Sequence, residues 1–458
     1  MISRPAAGEP IVWNQSSRHH ALLAAAFGLA GLAAAKPAVA APQFTVLYKF
    51  HGADGHEPEA GVLIGPGGVL YGTTVLGGPV MCALTEAGCG TLFQLTPPAA
   101  QGDPWTESVI YSFTGGTDGA FPIADLAQDP ATGTLYGTAS GGGANSEGTA
   151  YALSPPTVQG GNWSFSLLYG FGATSSDGEQ PQAGLIAGPA GSYYGTTLVG
   201  GTADRGIQVG AGTVFQLTPP AVQGGAWTHT VLWAFPHGNN DGADPSPGVL
   251  FGGPGGSLLG ATTSGESPNA TDGLIFQLLP PSMQGGAWTE IKAFPFSGRA
   301  VPKKGGQPNA GLIADASGAY YGTTQQGGKY GSGVVFQLVP PSGGGDTWVY
   351  KVLYNFKGGT DGQVPLIGLT MGAGGVLYGT TSEGGNETAC PGDGCGTVFQ
   401  LAPPAAGSTK WKETVLHRFA LTDGFEPYAH LAIDANGVLY GTAYGSSTGY
   451  GVVFSVTP

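Results

Sequence analysis

Carboxylates recur in this chain at one fixed place. Asp54, Asp118, Asp177, Asp241, Asp361 and Asp423 each open the string Asp-Gly-x-x-Pro. Two chemistries use such a residue. A ring of carboxylates on one face would gather Ca²⁺, a hard cation that prefers oxygen ligands. An Asx-type turn uses the same oxygen to fold its own backbone, and it also explains the Gly and the Pro. The turn is the expectation; Ca²⁺ at these turns is the one cofactor that competes with it. A seventh copy departs, reading FSGRAVPKKGGQP over 296–308. Its Arg299, Lys303 and Lys304 are read as a solvated loop.

Signatures of catalysis are sparse. The string Gly445-Ser446-Ser447-Thr448-Gly449 matches G-x-S-x-G, but a nucleophile elbow needs a strand-to-helix turn. Gly328-Lys329 is preceded by Thr323 where a phosphate-binding loop needs Gly. His51, His56, His229, His237, His417 and His430 are scattered. No catalytic residue is therefore assigned, and no metal.

Cys82 with Cys89, and Cys390 with Cys395, are two close pairs. Local pairing is expected, because an even cysteine count in an exported chain reads as disulfides. A zinc site from all four lacks the usual two-residue spacing.

These groups have to be positioned by something repetitive. The string LYGTT or a relative of it aligns at Tyr71, Tyr136, Tyr194, Leu259, Tyr321, Tyr378 and Tyr440. Seven units of about sixty residues thus fill the chain after residue 41. Each unit holds four strand-sized pieces. QAGLIAG (182–188) shows the first and YYGTT (193–197) the second. GTVFQLTPP (212–220) shows the third, and WTHTVLWAF (227–235) the fourth. Alternation of Val, Leu, Tyr and Phe marks half-buried strands. Gly-Gly, Pro-Pro and Asp-Gly punctuate the junctions.

Four antiparallel strands repeated radially make a propeller blade. The expected fold is all-β: one seven-bladed β-propeller over 41–458. The chain opens on a fourth-type strand, PQFTVLYKF (42–50), and closes on a third-type strand, GVVFSVTP (451–458). Residues 43–50 are therefore expected to supply the outer strand of the last blade and to close the ring.

The blocks DGxxP, AGL, LYGTT with a following GG, and GTVFQL resemble the GloVer-type tandem repeats of bacterial proteins, a choice-of-anchor group. The resemblance implies a propeller-like repeat protein exported from a bacterium. It transfers no catalytic residue. Such proteins end in anchoring tails. The last residues here, up to Pro458, show no hydrophobic tail, so a released or periplasmic protein is expected ahead of a surface-attached one.

Composition agrees with that architecture. Gly (85) and Pro (36) are too frequent in 458 residues for a helical bundle. Charged residues at 10% and aromatics at 10% exclude disorder. The net charge of −14 makes nucleic acid a poor partner. Residues 1–40 read as a signal peptide: basic Arg4 and Arg18, an apolar run over 21–35, then Ala38 and Ala40 before the cut. The protein is expected to be exported (secreted, periplasmic or at the cell surface), monomeric, and without a membrane span after cleavage.

Two kinds of position break the repeat. Gly61, Gly184, Gly248, Gly311 and Gly368 share one inner-strand position, where the other units carry Asp125 and His430. These two are candidates for the channel wall. The loops between second and third strands differ widely, whereas the scaffold turns stay alike. That rim supplies the ligand candidates Asp204, Arg205, Asn269, Asp272, Lys329, Tyr330, Asn386 and Glu387. Gly and Thr of the YGT strand are read as blade-to-blade packing. Trp105, Trp163, Trp227, Trp288, Trp348 and Trp411 are read as interblade core, not a sugar platform. The function expected is a binding module for a glycan or protein of the envelope or environment. The alternative is a polysaccharide hydrolase or lyase that uses rim carboxylates.

Overall fold

A computed structural model describes residues 41–458, apart from 81, 83, 101, 159, 175, 202–209, 223, 237–241, 246–250, 265–270, 284, 298–303, 310 and 342–346. The segment read as a signal peptide, 1–40, lies outside the described residues. So do Arg299, Lys303, Asp241 and Gly248.

Pro42–Pro458 form one compact unit. It is a seven-bladed β-propeller with four-stranded antiparallel blades. Blade 1 runs outward from the channel as Leu63–Ile64, Leu70–Thr74, Thr91–Thr96 and Thr106–Ser112. Blades 2 to 6 repeat that order, with inner strands Ala127–Gln128, Ile186–Ala187, Phe251–Gly252, Ile313–Ala314 and Thr370–Met371. Blade 4 adds a short segment, Ala243–Pro245, against its second strand. Blade 7 is Ala432–Ile433, Leu439–Ala443 and Val452–Thr457, completed by Gln43–Lys49 from the other end of the chain. Gln43 pairs with Thr457 and Lys49 with Val452, so the ring closes as expected. The Phe44 ring stacks on His417 of blade 6 at 3.6 Å and meets Phe454 at 5.4 Å.

The inner strands are shorter than their sequence suggests. Only two residues of each join the ladder, as Leu63 and Ile64 do against Tyr71 and Leu70. The preceding residues run along the channel wall, where their carbonyls accept bonds from the previous blade. Thr138 Oγ1 donates to Ala183 O (2.9 Å), Thr323 to Ile367 O (3.1 Å) and Thr442 to Ala60 O (2.8 Å). The YGT threonine is thus the blade-to-blade link. The YGT glycine does something else. A Cβ at Gly72 would sit 2.4 Å from the Phe93 ring, and one at Gly379 2.7 Å from Phe399. Each glycine makes room for the phenylalanine of its own blade's third strand.

Blade interfaces are aromatic toward the outer strands. Trp163 meets Tyr71 of the preceding blade at 5.7 Å, and Trp227 meets Tyr136 at 6.2 Å. The tryptophans are half-buried interblade packing, as their recurrence implied. The Asp-Gly turns are built by their own carboxylates. Asp118 accepts from Thr114 N (2.9 Å), Thr114 Oγ1 and the Tyr111 hydroxyl (3.0 Å). Asp54, Asp177 and Asp361 likewise accept a tyrosine hydroxyl and a backbone N–H.

Candidate functional site

The residue before each turn proline carries an unusual backbone. Glu57, Phe121, Gln180, Asp244, Gln307, Val364 and Glu426 all have φ between 52° and 59°. That region is disfavoured for a non-glycine, and more so before proline. Hydrogen bonds on both sides hold it. Gln180 N donates to Glu147 O of the previous blade (2.9 Å), while its own carbonyl accepts from Leu198 N (3.0 Å). The proline then packs on a glycine of the previous blade: a Cβ at Gly148 would lie 2.6 Å from Pro181 Cδ. Seven such corners turn the chain from the rim into the channel.

At the seam where blade 7 meets blade 1, the corner residues are Glu426 and Glu57. Glu426 Oε2 accepts the Tyr428 hydroxyl at 2.7 Å. Glu57 accepts the Tyr444 hydroxyl, and its Oε1 lies 3.4 Å from His56 Nε2. The Tyr428 and Tyr444 rings are 5.4 Å apart. Burial and these carboxylates push both phenols well above their ordinary range.

Tyr428 also lines a cavity of about 360 Å³ in the channel. Glu59, Asp125 and His430 line it too, and blades 5 and 6 supply Leu312, Ile313, Leu366, Ile367 and Leu369. His430 Nδ1 lies 2.9 Å from Asp125 Oδ2. The other carboxylate oxygen accepts the Gly61 N–H at 2.6 Å. The two polar breaks in the glycine ring are therefore partners, and the glycine between them is obligatory. A Cβ on Gly61 would lie 2.9 Å from Asp125 Oδ1 and 2.9 Å from His430 O. Burial pushes the Asp125 carboxyl up, but the His430 imidazole and the Gly61 N–H more than offset it, so it sits below the usual carboxylate range. The Asp125 charge raises His430 against the opposing effect of burial. Glu59 is pushed up to about 7, first by burial and then by Glu57.

A second cavity, of about 440 Å³, opens on the rim at the same seam. His51, His56, Glu86 and Tyr450 line it. Tyr450 meets the His56 ring edge-on at 5.1 Å. The Cys82–Cys89 disulfide braces the loop that carries Glu86. The contacts run on continuously: His56 to Glu57, Glu57 to Tyr444, Tyr444 to Tyr428, and Tyr428 into the channel.

The rim candidates divide differently. Asp204, Arg205 and Asn269 lie outside the described residues, and Asp272 falls in the strand Thr271–Leu279. Lys329 donates its backbone N–H to Asn355 Oδ1 (2.7 Å) and holds its ammonium 4.9 Å from the Tyr330 ring. Asn386 caps its own loop by accepting from Ala389 N (3.1 Å), and Glu387 is exposed. Asp272 stands on blade 4, Lys329 and Tyr330 on blade 5, and Asn386 and Glu387 on blade 6, and no described contact joins the last four to the seam. Asp125 and His430 are brought together; of the described rim residues, Lys329 and Tyr330 on blade 5 meet each other and not the blade 6 pair. The second disulfide, Cys390–Cys395, is formed as expected and braces the blade 6 loop. Ser447, the serine of the G-x-S-x-G string, lies in an interstrand loop with no helix behind it, where its neighbour Ser446 bonds Thr448 Oγ1 (2.8 Å). Among the described residues, no three His, Cys, Asp or Glu side chains are grouped as metal ligands would be.

Sequence reasoning passed over Glu57, Glu59, Glu426, Tyr428 and Tyr444. A signal was present: they flank the turn proline or follow the YGT strand in the two units that share the seam.

The profile of a family described as the Gloeobacter/Verrucomicrobia repeat matches residues 36–223 and 201–454. No curated protein matches the chain. Several solved structures are similar to it. One is the α-L-arabinanase of Penicillium chrysogenum complexed with arabinobiose, 15% identical over 72% of this chain and 91% of that one, with a TM-score of 0.43. Another is a fungal alcohol oxidase in complex with copper, 14% identical over 92% and 77%, with a TM-score of 0.49. A third is a protein from Lactobacillus plantarum, 14% identical over 81% and 86%, with a TM-score of 0.47.

Proposed function

The chain belongs to the Gloeobacter/Verrucomicrobia repeat family, and we propose that it is an exported binding module. Its ligand, a glycan of the envelope or environment, lies along the seam from the rim pocket to the channel. The observation that carries this reading is the unbroken run of polar and aromatic side chains between the two cavities, from His56 through Glu57, Tyr444 and Tyr428 to His430. Tyrosine rings offer flat apolar faces with a polar tip. Carboxylates and an imidazole offer acceptors and a donor to sugar hydroxyls. Each cavity has room for about one sugar ring, and the side chains between them link the two places. Both disulfides support an exported protein, and among the described residues no helix is long and apolar enough to cross a membrane. Carboxylates at Glu57, Glu59 and Glu426 set the site against anionic polymers, nucleic acid included. The reading needs no cofactor and no second subunit.

One observation favours hydrolysis as the second reading. Glu59 and Asp125 line the same cavity, one pushed up to about 7 and the other held low. Carboxyls whose environments pull their pKa values apart suit the acid and the anion of a glycosidase.

Purified protein tested against an oligosaccharide panel, for binding and for product, separates the two. The binding reading expects saturable binding, weakened by Tyr444→Ala and His56→Ala, with no product released. Product whose formation stops in Glu59→Gln would replace it with the hydrolase. Absence of binding across the panel would overturn it.

A further inference from the structure

The channel cavity has an unbalanced charge. Asp125 is met by His430 at 2.9 Å and by the Gly61 N–H at 2.6 Å. Glu59, in the same lining, has no hydrogen-bond or ion-pair partner among the described residues. Glu57 and Glu426 stand behind it, occupied by the hydroxyls of Tyr444 and Tyr428. His56 lies on the far side of Glu57, at 3.4 Å. No Lys or Arg lines the cavity among the described residues. A carboxyl taken out of water without a partner is unfavourable as an anion, and a cation delivered by a ligand reverses that. Neutral sugar hydroxyls would not. Across the cavity, the half-buried Leu366 and Ile367 offer an apolar wall to the face of a ring. A volume of about 360 Å³ lies at the small end of ligand sites, which run from ~300 Å³ upward.

We propose that the channel takes an amino sugar with a free amine, its ammonium on the Glu59 carboxylate, its ring face against Leu366 and Ile367, and a hydroxyl toward His430. This rests on the channel being the binding site and narrows its ligand from glycans at large to cationic ones. Because burial and Glu57 push Glu59 up to about 7, part of the population is protonated at pH 6.5. Binding of an ammonium then expels that proton into the buffer.

The test uses three probes: a β-1,4-linked glucosamine trimer, its fully N-acetylated form, and a neutral glucose trimer. Calorimetry at pH 6.5 in two buffers of different ionisation heat reads affinity and proton release together. At pH 6.5, where an amine of ordinary α-amino basicity (~7.7–8.0) is charged, the glucosamine trimer is expected to bind about tenfold more tightly than either neutral probe, and the proton leaving Glu59 is read as the difference in buffer-linked heat between parent and Glu59→Gln. Glu59→Gln is expected to erase both the preference and the proton release without lowering the melting temperature. Asp103→Asn, an exposed loop carboxylate, is expected to change neither. Equal affinity for all three probes overturns the amine assignment but leaves the channel reading standing. An unchanged preference in Glu59→Gln, measured on variant protein that melts no lower than the parent, also overturns it. Failure of every probe, and of the wider panel, overturns both.

Discussion

His430 Nδ1 lies 2.9 Å from Asp125 Oδ2, so side chains of blades 7 and 2 meet over blade 1. Three consecutive blades are joined at the channel wall, because Asp125 also takes the Gly61 N–H of the blade between them. The pair is part of the ligand cavity and at the same time a fastening of the seam.

Asp125→Ala strips a hydrogen-bond acceptor from Gly61 and the counter-charge from His430. Fully buried pairs lose ~3–5 kcal/mol on such a change. These side chains open partly onto the cavity, with 27% and 34% exposure, so the expected loss is about 1–3 kcal/mol. Asp125→Asn keeps one acceptor and is expected to lose less. Urea unfolding of the two variants checks the order; equal stability of parent and Asp125→Ala would contradict it.

Stability is expected to be greater near pH 5 than near pH 8. Glu59, Glu107 and Glu413 are each pushed from 4.5 to about 7, mainly by burial and then by Glu57, Asp54 and Asp361 respectively. The folded chain therefore holds these protons more tightly than the unfolded chain, and stability falls as pH climbs from 4.5 to 7. With solvent screening counted, such a shift is worth about 1–2 kcal/mol for each group. His430, raised by Asp125, acts in the same direction: its contribution is full below 6.5 and fades as pH rises past its raised value. His229 opposes them. Burial lowers it despite Asp177, so its neutral form loses ground as pH falls below 6.5. Three carboxyls and one imidazole outweigh that single histidine. Thermal melts from pH 4 to 9 check the slope, and a melting temperature that rises toward pH 8 would contradict it.

Reduction of the disulfides should loosen the rim before the ring. Cys82–Cys89 and Cys390–Cys395 close loops of separation 7 and 5, worth about 2–2.5 kcal/mol each on the chain-entropy model. Dithiothreitol is expected to lower the melting temperature by a few degrees and to weaken binding at the rim pocket beside the first bridge. Hydrogen exchange confined to 75–90 and 382–396 on reduction would bear this out; exchange spreading through every blade would not.

Loss of the closing strand should be far more severe. Without 42–50, blade 7 lacks its outer strand, and its ladder bonds to Val452–Thr457 go with it. Phe44→Ala removes only the ring stacked on His417 and is expected to cost about 2–4 kcal/mol. Calorimetric unfolding of both proteins checks this, and a truncated chain that melts with the parent would refute ring closure.

Much of this fold was readable from the repeat. The spacing of the YGT strands counts the blades, and the mismatched end strands fix the closure, because a ring leaves no other partner for Gln43–Lys49. The Asp-Gly turns and the cysteine pairs are local, so their geometry follows from neighbours in sequence. The site is not local. Asp125 and His430 sit at one level of the repeat, and their units flank the first; only closure of the ring turns that into a contact. The left-handed corner at Glu57 and Glu426 was hidden for another reason. Interblade hydrogen bonds impose it, against the preference of any non-glycine before proline. The rim loops diverge most, yet the carboxylates that converge at the seam, Glu57, Glu59 and Glu426, stand beside the turn prolines and not in those loops.

Filling the channel tests the binding site most directly. Gly368 lines the cavity, its φ is ordinary, and a Cβ there would meet only Gly311 O, at 3.5 Å. Gly368→Leu therefore plugs the cavity without straining the backbone. Calorimetric titration of the glucosamine trimer into parent and variant should show affinity falling at least ~tenfold at an unchanged melting temperature. Undiminished affinity in the plugged protein would contradict the account.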